Sequence, residues 1–306
     1  MKEIIDALMI AFDEKGKGNT QLPPKPGIFP GPKDSFIHAM PAHIPALKSS
    51  GIKWVSAFPA NPEKGLPYIS GLIVVNDSDT GLPLAVMDAG WITAKRTGAA
   101  SAVSARFLAR PESSVMGVLG CGVQGRSHLE AMKTVFPITT CMAYDLNPDA
   151  RKAYKADMEK LLDVEVIPVD APKEAVSGCH IVVTAGPILK SPHKTIKAGW
   201  LDPGAFASLV DFDSYWDPKA IHEADKFCTD DTAQYMYYKN DCGYFQDTPD
   251  IWADLGELAV GGKKGRETAE EKTMTANLGL AIDDMAVAPL VFKRAMENNI
   301  GVLLPL

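Results

Sequence analysis

Val115-Met-Gly-Val-Leu119 runs straight into Gly120-Cys-Gly122-Val-Gln-Gly125, and a helix-like stretch, Val123–Val135, follows. An apolar strand, three glycines at G-x-G-x-x-G spacing and a helix, in that order, are the fingerprint of a dinucleotide-binding turn. Each glycine has a physical reason. Gly120 permits the tight turn, Gly122 lets backbone approach a pyrophosphate, and Gly125 lets helix and strand pack closely. Val123 and Gln124 open the helix whose positive end would receive the phosphates. A second strand, Thr140–Tyr144, delivers Asp145 at the ~20-residue spacing where an acid meets the ribose. A carboxylate there bonds a 2′-hydroxyl and repels a 2′-phosphate, so NAD is favoured and NADP stays possible. Arg151 and Lys152, just beyond, read as the solvated face of the next helix.

Downstream the alternation continues. Asp149–Leu162 reads as a helix, Val164–Val169 as a strand, Pro172–Ser177 as a helical turn and His180–Thr184 as a buried strand. Strand alternating with helix predicts a doubly wound parallel sheet, hence an α/β fold of Rossmann type. Upstream the grammar differs. Residues 1–14 carry apolar positions at helical spacing, and Leu22–Pro32 is an irregular connector. Four short strand-like runs then follow at Ser35–Met40, Ile52–Phe58, Tyr68–Asn76 and Leu84–Asp88. The last two are joined by Asp79-Thr80-Gly81, a hairpin-like turn. Ile92–Ala109, rich in alanine, reads as the helix leading out of this smaller α+β domain. Glu270–Asn298 is helical by pattern and is expected to pack back on it. The expected division is 1–112, completed by 285–306, for a substrate-binding and dimerisation domain, and 113–284 for the dinucleotide domain.

Composition narrows the function. The 306 residues carry 31 Lys and Arg against 38 Asp and Glu, a net charge of −7, which argues against nucleic-acid or anionic-membrane binding. Five scattered cysteines without a C-x-x-C pair suit a reducing compartment. No secretory leader and no membrane-spanning apolar run is visible, so the expected location is the cytoplasm. The six histidines show no metal-ligand spacing, so no metal is implied, and the serine-hydrolase elbow is absent.

A nicotinamide enzyme needs a group that anchors its substrate and one that moves a proton. Arg96, in Ala94-Lys-Arg-Thr-Gly98, offers a planar fork for a carboxylate or phosphate. Lys53, in the otherwise apolar Gly51–Phe58, either faces solvent or is a desolvated proton-transfer group. Asp213 ends an apolar run where the ligands of open α/β sheets bind, with Asp211 competing for the place. Lys25, between prolines, is a weaker candidate. Met236 and the Tyr235, Tyr237 and Tyr238 group read as core or interface.

The blocks Met87-Asp88, Ile92–Ala100 and Gly120–Gly125 together resemble the ornithine cyclodeaminase/mu-crystallin family, as do Met40-Pro41-Ala42, Phe58-Pro-Ala-Asn61, Thr80-Gly81 and Gly279–Asp284. The resemblance runs from about Pro23 to the carboxyl terminus, and the amino terminus looks short for the family, as if a leading strand were missing. It implies a homodimer paired through the first domain and NAD(P) in the second. It also implies that Arg96 is the substrate-carboxylate arginine, Lys53 the active-site lysine and Asp213 the catalytic aspartate. Thr97 and Thr184 fall near the cofactor. Lys25 falls where many members carry a further carboxylate-binding arginine. His38 stands just before Met-Pro, where the cyclodeaminases have a catalytic glutamate.

The expectation is therefore an NAD(P)-dependent oxidoreductase acting on the C–N bond of a small amino or imino acid, of the amino-acid dehydrogenase or ketimine reductase type. The alternatives are an ornithine cyclodeaminase-type ammonia lyase with bound NAD and a dinucleotide-dependent binding protein with little turnover. Against cyclisation, His38 would be neutral or cationic where a carboxylate should attract the terminal ammonium. Either His38 lines the site, which then suits a short, neutral or acceptor-bearing side chain, or it points away and another acid such as Glu63 substitutes.

Overall fold

The computed structural model describes residues 1–31 and 35–304; the end of the Leu22–Pro32 connector and the last two residues of the expected 285–306 segment lie outside them. Helix α1 (Lys2–Gly16) precedes a five-stranded sheet of β1 (Gly27–Ile28), β2 (Phe36–Ile44), β3 (Ser49–Ala57), β4 (Ile69–Asn76) and β5 (Pro83–Asp88). The strands lie in sequence order and pair antiparallel throughout. Helix α2 (Gly90–Leu108) leads to β6 (Val115–Leu119), α3 (Val123–Val135), β7 (Thr140–Tyr144), α4 (Pro148–Leu161), β8 (Glu165–Pro168), β9 (Ile181–Thr184) and β10 (Phe206–Leu209). Then come α5 (Pro218–Ile221), β11 (Lys226–Thr229), α6 (Thr232–Asp241), β12 (Ala253–Asp254), α7 (Leu255–Ala259), β13 (Thr273–Ala276) and α8 (Ala281–Glu297).

The larger sheet has eight parallel strands in the order β12-β11-β13-β10-β9-β6-β7-β8. Its chain direction of growth reverses between β6 and β9, the switch point at which α/β sheets hold their ligands. The fold class is as the sequence predicts. One element is not. Residues 273–276, expected inside a long helix, form β13 between β10 and β11. All four are buried, so the strand shows no alternation, and a short apolar run gives helix and strand the same sequence pattern. The helix itself begins at Ala281, ahead of the expected boundary at 285, and so carries Asp283 and Asp284 onto the smaller domain.

The small sheet is two-faced. Its inner face, with His38, Met40, Lys53, Val55 and Ile73, packs towards α2 and α8. On its outer face Trp54, Leu72 and Val86 are 49%, 52% and 64% exposed, and register sets Trp54 beside Leu72. Helix α2 couples the two domains. A Cβ on Gly98 would stand 2.6 Å from the Ser127 carbonyl oxygen of α3. Farther along, Ser101 Oγ bonds His128 on α3 and Ser208 on β10, each at 2.9 Å. Among the described residues no helix is long and apolar enough to cross a membrane.

Candidate functional site

The glycine turn has the shape its sequence requires. Gly120 sits at φ +109°, a left-handed conformation that side chains disfavour, and a Cβ there would lie 2.6 Å from the Ala185 carbonyl across the switch point. A Cβ on Gly125 would strike the Gly120 carbonyl, while one on Gly122 meets no atom of the described residues within 4 Å. Gly122 caps α3 without a side-chain hydrogen bond, so the first N–H groups of the helix have no side-chain cap. Beside it, the buried Oε1 of Gln124 has no partner among the described residues. Asp145, just past β7, accepts from the Cys121 N–H at 2.8 Å and the Asn147 N–H at 2.9 Å. Arg151 is turned to the Val169 carbonyl and Asp170, and Lys152 to Asp149, so neither is free beside that carboxylate. These features fit the pyrophosphate and adenosine ribose of NAD.

A cavity of about 330 Å³, touched by Gln124 of this turn, is lined by the inner face of the small sheet. Lys25, Lys53 and Arg96 line it, brought by the connector, β3 and α2 respectively. Lys53 is fully buried. Its Nζ pairs with Asp284 on α8 at 2.7 and 2.9 Å. The solvent-facing reading of Lys53 is thereby excluded, because the register Lys53–Met40 turns its side chain inward. Burial and the nearby Arg96 charge pull Lys53 down to about 7, against the opposing pull of Asp284.

Arg96 spends Nε on Asp284 at 3.2 Å and Nη1 on Asp283 at 3.4 Å, leaving Nη2 for a ligand. Burial opposes its charge, but Asp284, Asp283 and Asp230 outweigh it and raise its pKa. Asp283 is pushed up to about 7 by burial, although Arg96 opposes the rise, and its Oδ1 has no partner among the described residues. Gly279, at φ +74°, allows the close approach, since a Cβ there would strike Arg96 Nη1. Lys25 Nζ donates to the carbonyls of Leu278 at 2.6 Å and Gly279 at 2.9 Å and lies 5.5 Å from the Tyr238 ring centre. Burial lowers it to about 8, with Asp230 opposing and Arg96 assisting.

His38 does line the cavity. Its ring stacks on Phe36 at 4.1 Å and meets Phe29 edge-on. Burial, with Lys25 and Lys53 nearby, drops it to about 3, which removes the cationic alternative and leaves a neutral imidazole. Glu63 is exposed and does not line the cavity.

Other sequence candidates stand off from the cluster. Asp213 is not among the lining residues; its carboxyl accepts from the Phe245 backbone, and Phe212 before it has φ +62°. Asp211 accepts from Thr184 Oγ1 at 2.6 Å and the Gly186 N–H at 2.9 Å. Thr184 is therefore buried against Asp211 and Trp216. Thr97 lines the cavity, with its hydroxyl bonded back to Thr93 at 2.7 Å. Tyr237 and Tyr238 are cavity walls, as are Tyr68 and Tyr244, whereas Tyr235 is core. The residues that sequence reasoning missed are the carboxylates Asp230, Asp283 and Asp284. The last two had a trace: adjacent acids inside an otherwise apolar helix.

The sequence profile of the ornithine cyclodeaminase/mu-crystallin family matches residues 1–299. An alanine dehydrogenase from Archaeoglobus fulgidus is 36% identical, covering 98% of this chain and 92% of its own. Among solved structures, Thermococcus litoralis Delta(1)-pyrroline-2-carboxylate reductase in complex with NADH and L-proline superposes with a TM-score of 0.89. It is 32% identical, covering 99% of this chain and 96% of that one. An archaeal alanine dehydrogenase dimer with bound NAD gives a TM-score of 0.87 at 34% identity, over 100% of this chain and 94% of that one.

Proposed function

This chain belongs to the ornithine cyclodeaminase/mu-crystallin family, and from that premise we propose that it is an NAD-dependent oxidoreductase acting on the C–N bond of a small amino or imino acid. One observation carries the reading. Gln124 of the glycine turn and the buried Lys53, Arg96 and Lys25 line one cavity. When bound, NAD supplies the hydride acceptor, or as NADH the donor, for the substrate α-carbon. Gly120, Gly122, Val123, Gln124 and Gly125 would hold its pyrophosphate, and Asp145 its ribose. Thr97, on the cavity wall, would face the nicotinamide, and Thr184 would support that end through Asp211.

Arg96 Nη2 and the Lys25 ammonium take the substrate carboxylate, with Asp283 and Asp284 holding the arginine fork still. Lys53 moves the proton. In the reducing direction its ammonium protonates the imine nitrogen as the C=N pair collapses onto it. In the oxidising direction the neutral amine takes that proton back. A lysine pulled to about 7 can do either near neutrality. Proton transfer is assigned to Lys53 and not to Asp213, whose carboxyl points to Phe245. The neutral His38 ring, Phe29 and Phe36 make a wall with no carboxylate for a terminal ammonium, which disfavours ring closure of ornithine.

The outer face of the small sheet supports a homodimer. Ile52, Trp54, Leu72, Val74 and Val86 share that face, and three of them, Trp54, Leu72 and Val86, are exposed apolar side chains side by side. Five free cysteines suit the cytoplasm. The test follows nicotinamide absorbance while amino acids are screened in one direction, and oxo acids with ammonia and cyclic imines in the other. The purified protein is also incubated with NAD and ornithine. Turnover with amino or imino acids and no proline is expected. Proline and ammonia without nicotinamide turnover would establish the lyase, and tight NAD binding with no reaction would leave a binding protein.

A further inference from the structure

The cavity has more positive charge than a monocarboxylic substrate uses. Four cations line it, Lys25, Lys53, Arg96 and Lys190, and Asp241 is the sole carboxylate among the described lining residues. The inner three are answered from behind by Asp230, Asp283 and Asp284. Lys190 is not; among the described residues it forms no ion pair. Its Nζ stands 5.8 Å from the Phe29 ring centre and 5.9 Å from that of Tyr244, both cavity walls. Ring faces hold an ammonium in place without using up its N–H donors. The loop that carries it is fixed. Gly186 N–H is bonded to Asp211 at 2.9 Å and Leu189 N–H to Ser214 Oγ at 2.8 Å.

We propose that the substrate carries a second carboxylate, at the far end of its side chain, and that Lys190 receives it. This deepens the reading of the site as one for amino or imino acids and rests on it. The α-carboxylate has Arg96 and Lys25, and the pyrophosphate has the amino end of α3, so neither employs Lys190. A side chain ending in an ammonium would be repelled there, and an apolar one would gain nothing from Lys190. The substrate class is then a 2-amino or 2-imino dicarboxylic acid of aspartate or glutamate type. The C–N chemistry is unchanged, with Lys190 outside the proton path.

The test uses the full-length protein with NADH and measures binding, apart from turnover. By calorimetry, 2-oxoglutarate is compared with 2-oxopentanoate, which has the same chain length and no distal carboxylate. A charge-assisted contact at an exposed lysine gives about a tenfold preference for the dicarboxylate, falling as salt rises. Lys190→Gln brings that ratio to near unity, and Lys190→Arg restores most of it. Equal or tighter binding of 2-oxopentanoate, or a ratio that Lys190→Gln leaves in place, overturns the proposal. Parallel NADH oxidation with ammonia separates the two readings. A dicarboxylate preference without oxidation removes the dehydrogenase and keeps the binding preference, whereas oxidation without preference removes only the role of Lys190.

Discussion

The glycine turn and the cationic cavity meet at Gln124 but are built in opposite ways. The turn is one contiguous stretch, Leu119 to Asp145, whose geometry is set by backbone: a positive φ at Gly120 and a carbonyl packed against Gly125. The cavity draws Lys25, Lys53, Arg96 and Asp284 from four elements and is set by charge. Each region therefore fails differently. A side chain added to the turn meets backbone, or space kept for a ligand. A charge removed from the cavity leaves its partner buried and alone.

The sharpest break is expected at Lys53→Met. If Lys53 moves the proton, kcat falls about 10²- to 10⁴-fold. Leaving Asp284 with Arg96 alone also costs about 3–5 kcal/mol of stability. Steady-state kinetics and urea unfolding read the two effects separately. A variant with ordinary kcat would return the proton to another group. Next, Arg96→Leu should raise the substrate KM about 10- to 100-fold through loss of a charge-assisted contact, with NAD affinity nearly intact. Gly279→Ala should repeat a weaker version, because its methyl pushes on Arg96 Nη1 without removing charge.

The turn offers a cleaner contrast. Gly122→Val should leave thermal unfolding of the free protein unchanged, since its side chain enters open space, and weaken NAD if that space takes the pyrophosphate. Gly125→Val should instead destabilise the free protein by about 1–3 kcal/mol, because it overpacks against Gly120. Equal stability losses in both would mean that the space at Gly122 is not reserved. Asp145→Ser should narrow the preference for NAD over NADP by about tenfold, measured by fluorescence titration of each dinucleotide. A last contrast is with pH. Lys53 and Lys25 are lowered to about 7 and 8 from 10.5, so the folded protein binds fewer protons than the unfolded chain between those limits. Their contribution to stability therefore rises with pH across about 7 to 10.5. In the same profile, reductive kcat/KM should fall as pH passes about 7, and oxidative kcat/KM should rise.

Legibility in the sequence follows the same division. Strand β6, helix α3 and strand β7 lie where their patterns predict, because an amphipathic or apolar run and its punctuating glycines are local properties. Strand β13 was hidden because a strand buried on both faces has no period to read. Arg96, Lys53 and Lys25 were visible as residue types in unusual settings, and the structure brings all three to one cavity. Asp213 was visible too, yet the left-handed Phe212 before it turns the chain, and its carboxyl leaves the cluster.

The sequence by itself determined the strand, glycine turn and helix at 115–135, the strand that ends before Asp145 and the α/β class, for each depends on local pattern. Only the tertiary structure decided which way Lys53 faces, what answers its charge and what Lys190 lacks. Lys53 and Asp284 are 231 positions apart, and they meet because α8 lies across the inner face of the small sheet. One step of strand register would have turned Lys53 to solvent and left its pKa in the ordinary range. Charge and reactivity in a buried site belong to the neighbours that folding supplies, which no local pattern records.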